Sequence, residues 1–215
     1  MAANSNFCTL NSNAQISTGT FSHGNTLFTH TSNAWRSSIG TFAPTSGKWY
    51  WEALQSADES GNGFPVGIYD LKDGKFASNQ EADYPSQATS TFGETHVAYT
   101  YHTSTRSSYR TNGTEASFND ITPGAAGDVW QCALDLDNGK VFFGKNNSWD
   151  NSGNPATGTN PAASSLSVSS AGWTPITCSY NSGNSETYIQ NFGQDSSFAG
   201  GKSTGSANAA DGNGF

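Results

Sequence analysis

Apolar and polar positions alternate with a period of two along most of the chain, and no stretch keeps the 3.6-residue period of a helix. Phe21 to His30 reads as a hairpin bent at His23-Gly24-Asn25, and Trp35 to Phe42 as a short strand. Lys48-Trp49-Tyr50-Trp51-Glu52-Ala53-Leu54 is a strong strand. Phe64 to Tyr69 follows, then a turn at Lys72-Asp73-Gly74-Lys75. In Thr95 to His102, Val97, Tyr99 and Tyr101 share one face. Val129 to Leu136 and Lys140 to Gly144 flank Asp137-Asn138-Gly139, where Asn138-Gly139 predicts a tight type I′ turn. Trp173 to Tyr180 and Glu186 to Phe192 close the series around Asn181-Ser182-Gly183-Asn184. Residues 77 to 94 and 146 to 172 read as long polar loops, and loops of that length are uncommon unless functional. About eleven strands without a helix predict an all-β fold, an antiparallel β-sandwich.

Composition agrees. Gly, Ser, Thr and Asn supply close to half of the 215 residues, whereas Leu occurs 7 times and Glu 6 times. Thirteen Phe, eight Tyr and six Trp provide the bulk for a core that the low aliphatic content does not. The formal net charge of -8 repels phosphate backbones and anionic membranes, so no nucleic-acid partner and no membrane insertion are expected. Met1 to Leu10 lack a basic start followed by an apolar stretch, which predicts no secretion signal. Cys8, Cys132 and Cys178 match no zinc spacing and read as free thiols.

Catalytic chemistry finds little support in these residues. Asp135 and Asp137 stand two apart on one face, but turn and ladder contacts explain both. His23, His30, His96 and His102 are scattered, with no metal-ligand spacing. There is no Gly-x-Ser-x-Gly turn. The expectation is therefore no catalytic residue, no metal and no cofactor. Trp49, Trp51 and Trp130 lie in strong strands and are expected in the core. Trp35 and Trp149 sit beside polar loops. An exposed ring stacks on the C–H face of a sugar while nearby amides and carboxylates bind its hydroxyls. Tyr84, Tyr101, His102, Arg106 and Tyr180 offer the same chemistry, the alternative being aromatics that pin loops to the sandwich.

Several of these segments carry a family resemblance. Ser46 to Glu52 resembles the "GxxYWE" strand of SPRY domains, and Val66-Gly67-Ile68 their following "VGI" strand. Gly127-Asp128-Val129-Trp130-Gln131-Cys132-Ala133-Leu134-Asp135-Leu136-Asp137-Asn138-Gly139-Lys140-Val141-Phe142-Phe143 is similar to the family's "GDxIGCxLDxDNGxIxF" hairpin. Trp173-Thr174-Pro175 and Tyr188 to Gly193 resemble its closing strands. The loop after the hairpin and Asn191 to Gly200 look like SPRY domains of bacteriophage structural proteins, especially tail-associated ones from marine phages.

The resemblance implies a bent, concanavalin-like SPRY jelly roll over residues 20–198. An N-terminal extension, 1–19, would precede it and a Gly/Ser/Asn/Ala-rich tail, 199–215, follow it. It implies no catalysis and a partner rim built from loops, here His30 to Trp35, Ala82 to Gln87 and Ser179 to Asn184, with Tyr180-Asn181 where relatives present an aromatic. In the phage relatives the chain continues beyond the Asp211-Gly212-Asn213-Gly214 region, so a fragment, a processed product or a short version of such a protein is expected. The functional expectation is a virion component (tail fibre, tail tip or capsid decoration) that binds a host surface glycan or protein. A purely structural virion protein contacting other subunits and a cellular adaptor binding a peptide are the alternatives. A homotrimer is expected by analogy with tail fibres.

Overall fold

The computed structural model describes residues 7–14, 19–30, 35–57, 63–73, 96–102, 106–111, 114–118, 124–168, 170–180, 187–195 and 197–202. Two antiparallel sheets face one another. The first runs β1 (Gly19–Ser22), β2 (Leu27–His30), β14 (Thr187–Asn191), β4 (Lys48–Ala57), β10 (Val129–Asp135), β11 (Lys140–Lys145) and β12 (Ser148–Trp149). The second runs β3 (Trp35–Ile39), β13 (Trp173–Tyr180), β5 (Gly63–Phe64), β7 (His96–His102), β8 (Arg106–Thr111) and β9 (Thr114–Phe118). A further strand, β6 (Gly67–Asp70), also pairs with β13 and β7. No α-helix occurs among the described residues; Leu71–Asp73 and Asp150–Ser152 form single 3-10 turns.

The ladder between β4 and β10 sets which side chains meet. Trp51 stands opposite Cys132 and Ala53 opposite Trp130, all turned toward the second sheet. There they join Val66, Ile68 and Trp173 in the main core. The alternate positions, Tyr50, Glu52 and Leu54 against Ala133, Gln131 and Val129, point to the far face. Two polar groups beside this core are paired across elements. The Trp130 indole N–H donates to Gln55 Oε1 at 3.1 Å, and Gln190 Nε2 donates to the Pro65 carbonyl at 3.0 Å, joining the two sheets.

The far face of the first sheet carries a second apolar layer, in which Phe198 covers Leu27, Leu54, Val129 and Ile189. A carboxylate organises the turn that delivers Phe198. Asp195 accepts from Ser197 N at 2.9 Å, Ser197 Oγ at 2.6 Å and Ala199 N at 2.6 Å. These donors, with the Ser197 hydroxyl foremost, hold its carboxyl below the usual range against the opposing effect of burial. At the other end of the chain Leu10 is buried and bridges to Gly40.

Several expectations change in detail. The run Phe64 to Tyr69 divides at Pro65-Val66, since Pro65 brings no N–H to a ladder. The strands β8 and β9 are polar and unannounced by hydrophobic alternation. The Asp137-Asn138-Gly139 bend is not type I′. It closes four residues, and only Gly139 of the Asn138-Gly139 pair has positive φ, +60°. A side chain at 139 would meet the Leu166 carbonyl at 2.8 Å. Asp135 holds this loop by accepting from Asn138 N and Nδ2, and Asp137 accepts from Gly47 N at 2.7 Å. The type I′ geometry falls instead at Asn146-Asn147, where both φ angles are positive, 52° and 63°. None of the three cysteines forms a disulfide among the described residues, and Cys132 and Cys178 are buried. The expected 77 to 94 loop and residues 203–215 lie outside the described residues.

Truncating Phe198 to Ala should cost about 3 kcal/mol, because a fully buried ring leaves a cavity against four apolar neighbours; urea denaturation would show it as a lower midpoint. Asp195→Asn should also destabilise the fold at pH 7. A depressed carboxyl contributes above its unfolded pKa of about 4 and loses that contribution as pH falls through its lower folded value. The gap between Asp195→Asn and the parent should therefore close in thermal melts run below about pH 4.

Candidate functional site

The β11–β12 hairpin builds a groove on the outer face of the first sheet. The Asn146-Asn147 turn needs left-handed backbone at both positions, which Asn tolerates better than other side chains. Asn146 anchors the turn: its Oδ1 accepts from Val129 N at 2.8 Å and its Nδ2 donates to Asp128 Oδ1 at 2.7 Å. Asn147 and Gln131 bind one another reciprocally, Asn147 N donating to Gln131 Oε1 at 2.7 Å and Gln131 Nε2 donating to Asn147 Oδ1 at 3.2 Å. The turn thus fixes Trp149 opposite Gly144. A Cβ at 144 would lie 3.1 Å from the Trp149 ring, so glycine lets the indole cross the sheet closely.

Beside it, Tyr50 sits 6.3 Å from Trp149, ring centre to ring centre, at 68°. The Tyr50 hydroxyl accepts from Gln131 Nε2 at 2.7 Å and donates to Glu52 Oε1 at 2.6 Å. Burial and the Glu52 carboxylate push the phenol far up, which keeps that donor protonated. Lys48 reaches the groove from the start of β4 and pairs with Asp135 at 3.2 Å. Burial raises the Asp135 carboxyl, but the Asn138 donors and the Lys48 ammonium outweigh it and leave it low. The groove encloses about 570 Å³. Its surfaces are aromatic on two sides and amide or ammonium between, a set that stacks on an apolar face while satisfying hydroxyl or carbonyl groups.

The other residues singled out in the sequence group elsewhere. On the second sheet, Arg36, Ser179, Gly63, Tyr101 and Ser107 form one row of backbone partners. Trp35 and Tyr180 are partners one residue beyond it, as are His102 and Arg106. Five of the eight named positions therefore converge at one end of that sheet. Trp149 does not join them, since it lies on the edge strand of the opposite sheet. Tyr84 and Asn181 fall outside the described residues. Trp49, expected in the core, is 39% exposed, because at the end of β4 the inward face has run past the opposing sheet's cover. Tyr50, Gln131 and Asn147 were not singled out by sequence reasoning; the signal for Tyr50 and Gln131 is polar groups on the outward face of strands with apolar neighbours, and for Asn147 an Asn-Asn pair able to take a tight turn. Among the described residues no cluster of three or more His, Cys, Asp or Glu is placed to hold a metal ion.

No protein-family model matches the chain, and no curated protein matches it. Solved structures do. The SPRY domain of human HERC1 superposes with a TM-score of 0.56 at 17% identity, over 86% of this chain and 98% of that one. The PSpry domain of TRIM65 gives 0.53 at 15% identity, over 86% and 92%. The fold is accordingly the SPRY-type β-sandwich jelly roll.

Tyr50→Phe should lower stability by about 1–2 kcal/mol, since it strips a hydroxyl from between the buried Glu52 and Gln131 side chains. Chemical denaturation of the two proteins side by side would measure that difference.

Proposed function

We propose that the protein is a non-enzymatic recognition module that holds a saccharide of a host surface in the groove beside Trp149. The observation that carries this reading is the pairing of the partly exposed Trp149 and Tyr50 rings with the Gln131 and Asn147 amides in one open groove. A sugar ring offers a C–H face to the indole and hydroxyls to the Asn147 amide and to Lys48, while Gln131 holds Tyr50 and Asn147 in place beneath it. The setting we propose, a phage virion, draws on the sequence resemblance of the 146 to 172 segment and of Asn191 to Gly200 to phage structural proteins. The positions Trp35, Tyr101, His102, Arg106 and Tyr180, neighbours along the ladder of the second sheet, are where we propose a protein contact with the host or with neighbouring virion subunits.

Another reading, an adaptor domain binding a peptide partner inside a cell, is favoured by the likeness to the SPRY domain of human HERC1. The two differ in where binding is lost. On a glycan array and on whole host cells, saturable binding should fall at least tenfold in Trp149→Ala and persist in Trp35→Ala and Tyr180→Ala. Binding that survives Trp149→Ala but disappears with Trp35 or Tyr180 moves the ligand to the second sheet. No glycan binding at millimolar ligand overturns the saccharide reading.

A further inference from the structure

The ladder arranges the floor of the groove in a fixed order. Gln131 and Gly144 stand level with Trp149, Ala133 level with Tyr50, and Asp135 level with Lys48. Alternation turns Gln131, Ala133 and Asp135 to the same outward side. Ala133, the smallest of the three, makes the low point between them. Its partner on β11, Phe142, is buried beneath the loop that begins at Gly153. That loop supplies Pro155 and Ala156 as the far wall, and Lys140 ties it down by donating to the Gly158 carbonyl at 2.8 Å. Each step between levels is two residues, about 7 Å, so one sugar ring fits over Ala133 with a level to spare at either end.

The polar side chains of the groove divide into those already committed and those able to bond outward. The Tyr50 hydroxyl gives its hydrogen to Glu52, and Gln131 Nε2 donates to Tyr50 and to Asn147 Oδ1. Asn147 is exposed, and with Oδ1 turned to Gln131 its Nδ2 is the end turned away. Lys48 shares the outward face with Tyr50, and its side chain is 61% exposed. Its pairing with Asp135 leaves further N–H groups of the ammonium to offer. The two outward groups are thus both donors, one at each end of the floor. A hydroxyl accepts from them but brings a hydrogen of its own, whereas an oxygen group that only accepts is their complement. Among the described residues Lys48 is also the one charged side chain in the lining. The nearby carboxylates, Asp135 and Glu52, are 5% and 0% exposed, so the ammonium is the charge a ligand meets.

We propose that the groove binds an acidic saccharide, a uronate unit whose ring lies over Ala133 against Trp149 and whose carboxylate accepts from Lys48 Nζ. Asn147 Nδ2 donates to an oxygen at the other end of the ring. The inference rests on the saccharide reading above and adds to it the charged substituent and the direction in which the sugar lies. The step of about 7 Å from the Ala133 level to the Lys48 level is spanned by a carboxyl substituent and one hydrogen bond. Asp135 acts here as a positioning residue: fixed by Asn138 N and Nδ2, it holds the ammonium at the end of the floor. An acetamido sugar also brings an acceptor, but its N–H needs an acceptor in return and it draws nothing from the charge. A charge-assisted bond is stronger than a neutral one, which favours the carboxylate.

The test titrates the full chain, labelled with ¹⁵N, at pH 7 with the methyl glycosides of glucuronic, galacturonic and mannuronic acid. Each is compared with its parent hexose and its uncharged uronamide, and methyl N-acetylglucosaminide is added as the acetamido sugar. At least one uronate should bind threefold or more tighter than its hexose and its uronamide and move the Trp149 indole N–H resonance. Lys48→Met should erase that preference and Lys48→Arg should keep it. High salt should reduce it as well, since an exposed charge is screened. If Lys48→Met does not fold, the difference between uronate and uronamide in the parent protein, and its loss in high salt, decide. Uronate, uronamide and hexose binding alike, each moving Trp149, overturns the acidic ligand and leaves the saccharide reading standing. So does tighter binding of the acetamido sugar, or a uronate preference that survives Lys48→Met. No movement of Trp149 with any of these sugars at 50 mM overturns both readings.

Discussion

The register between β4 and β10 is the constraint on which the rest depends. Trp51 to Gln55 of β4 and most of β10 are buried on both faces, so each of these residues has an assigned neighbour above or below the sheet. A slip of one position would turn Trp51, Ala53, Trp130 and Cys132 outward and bring Tyr50, Glu52 and Gln131 into the apolar core. Burying those polar groups without their partners would cost several kcal/mol. The same alternation therefore builds the core and, on its reverse, the polar floor of the groove.

That floor shows how a sheet becomes a site. Tyr50 and Gln131 satisfy one another within the sheet, and Asn147 extends the chain of donors out to the hairpin that carries Trp149. The aromatic edge is consequently tied to the sheet by amide contacts instead of riding on a free loop. A ring held in this way loses little freedom when a ligand stacks on it, which favours binding. At the start of β4, Trp49 and its neighbour Phe42 remain exposed because neither sheet reaches far enough to cover them.

Much of the fold was legible because period-two alternation survives where one face is wet or where aromatic residues mark the core. The hairpin segment Val129 to Phe143 and the strand from Lys48 are read directly from their residues. The limits are specific. A strand's alternation says which way Trp49 points, but not that the opposing sheet has ended. Asn138-Gly139 carries the strongest local signal for a tight turn, yet Asp135 and Asp137 hold a four-residue loop there through side-chain contacts that no short-range rule counts. The tight turn fell at Asn146-Asn147, inside a stretch that reads as loop. Trp149 was recognisable as a ring beside polar residues, but its neighbours Tyr50 and Gln131 are 99 and 18 positions away in the chain and are joined to it by sheet order.

The strand order also bears on how the molecule is made. β14 lies between β2 and β4, so the first sheet stays split until residues 187 to 191 are available. During synthesis β2 and β4 each present an unpaired edge until β14 has followed them. Loop closure over such separations is slow, and bare edges in the meantime invite pairing with other chains. Assembly of this sheet therefore waits for one late strand to join two halves. Phe198 then seals the outer face once the segment beyond β14 has folded back over it.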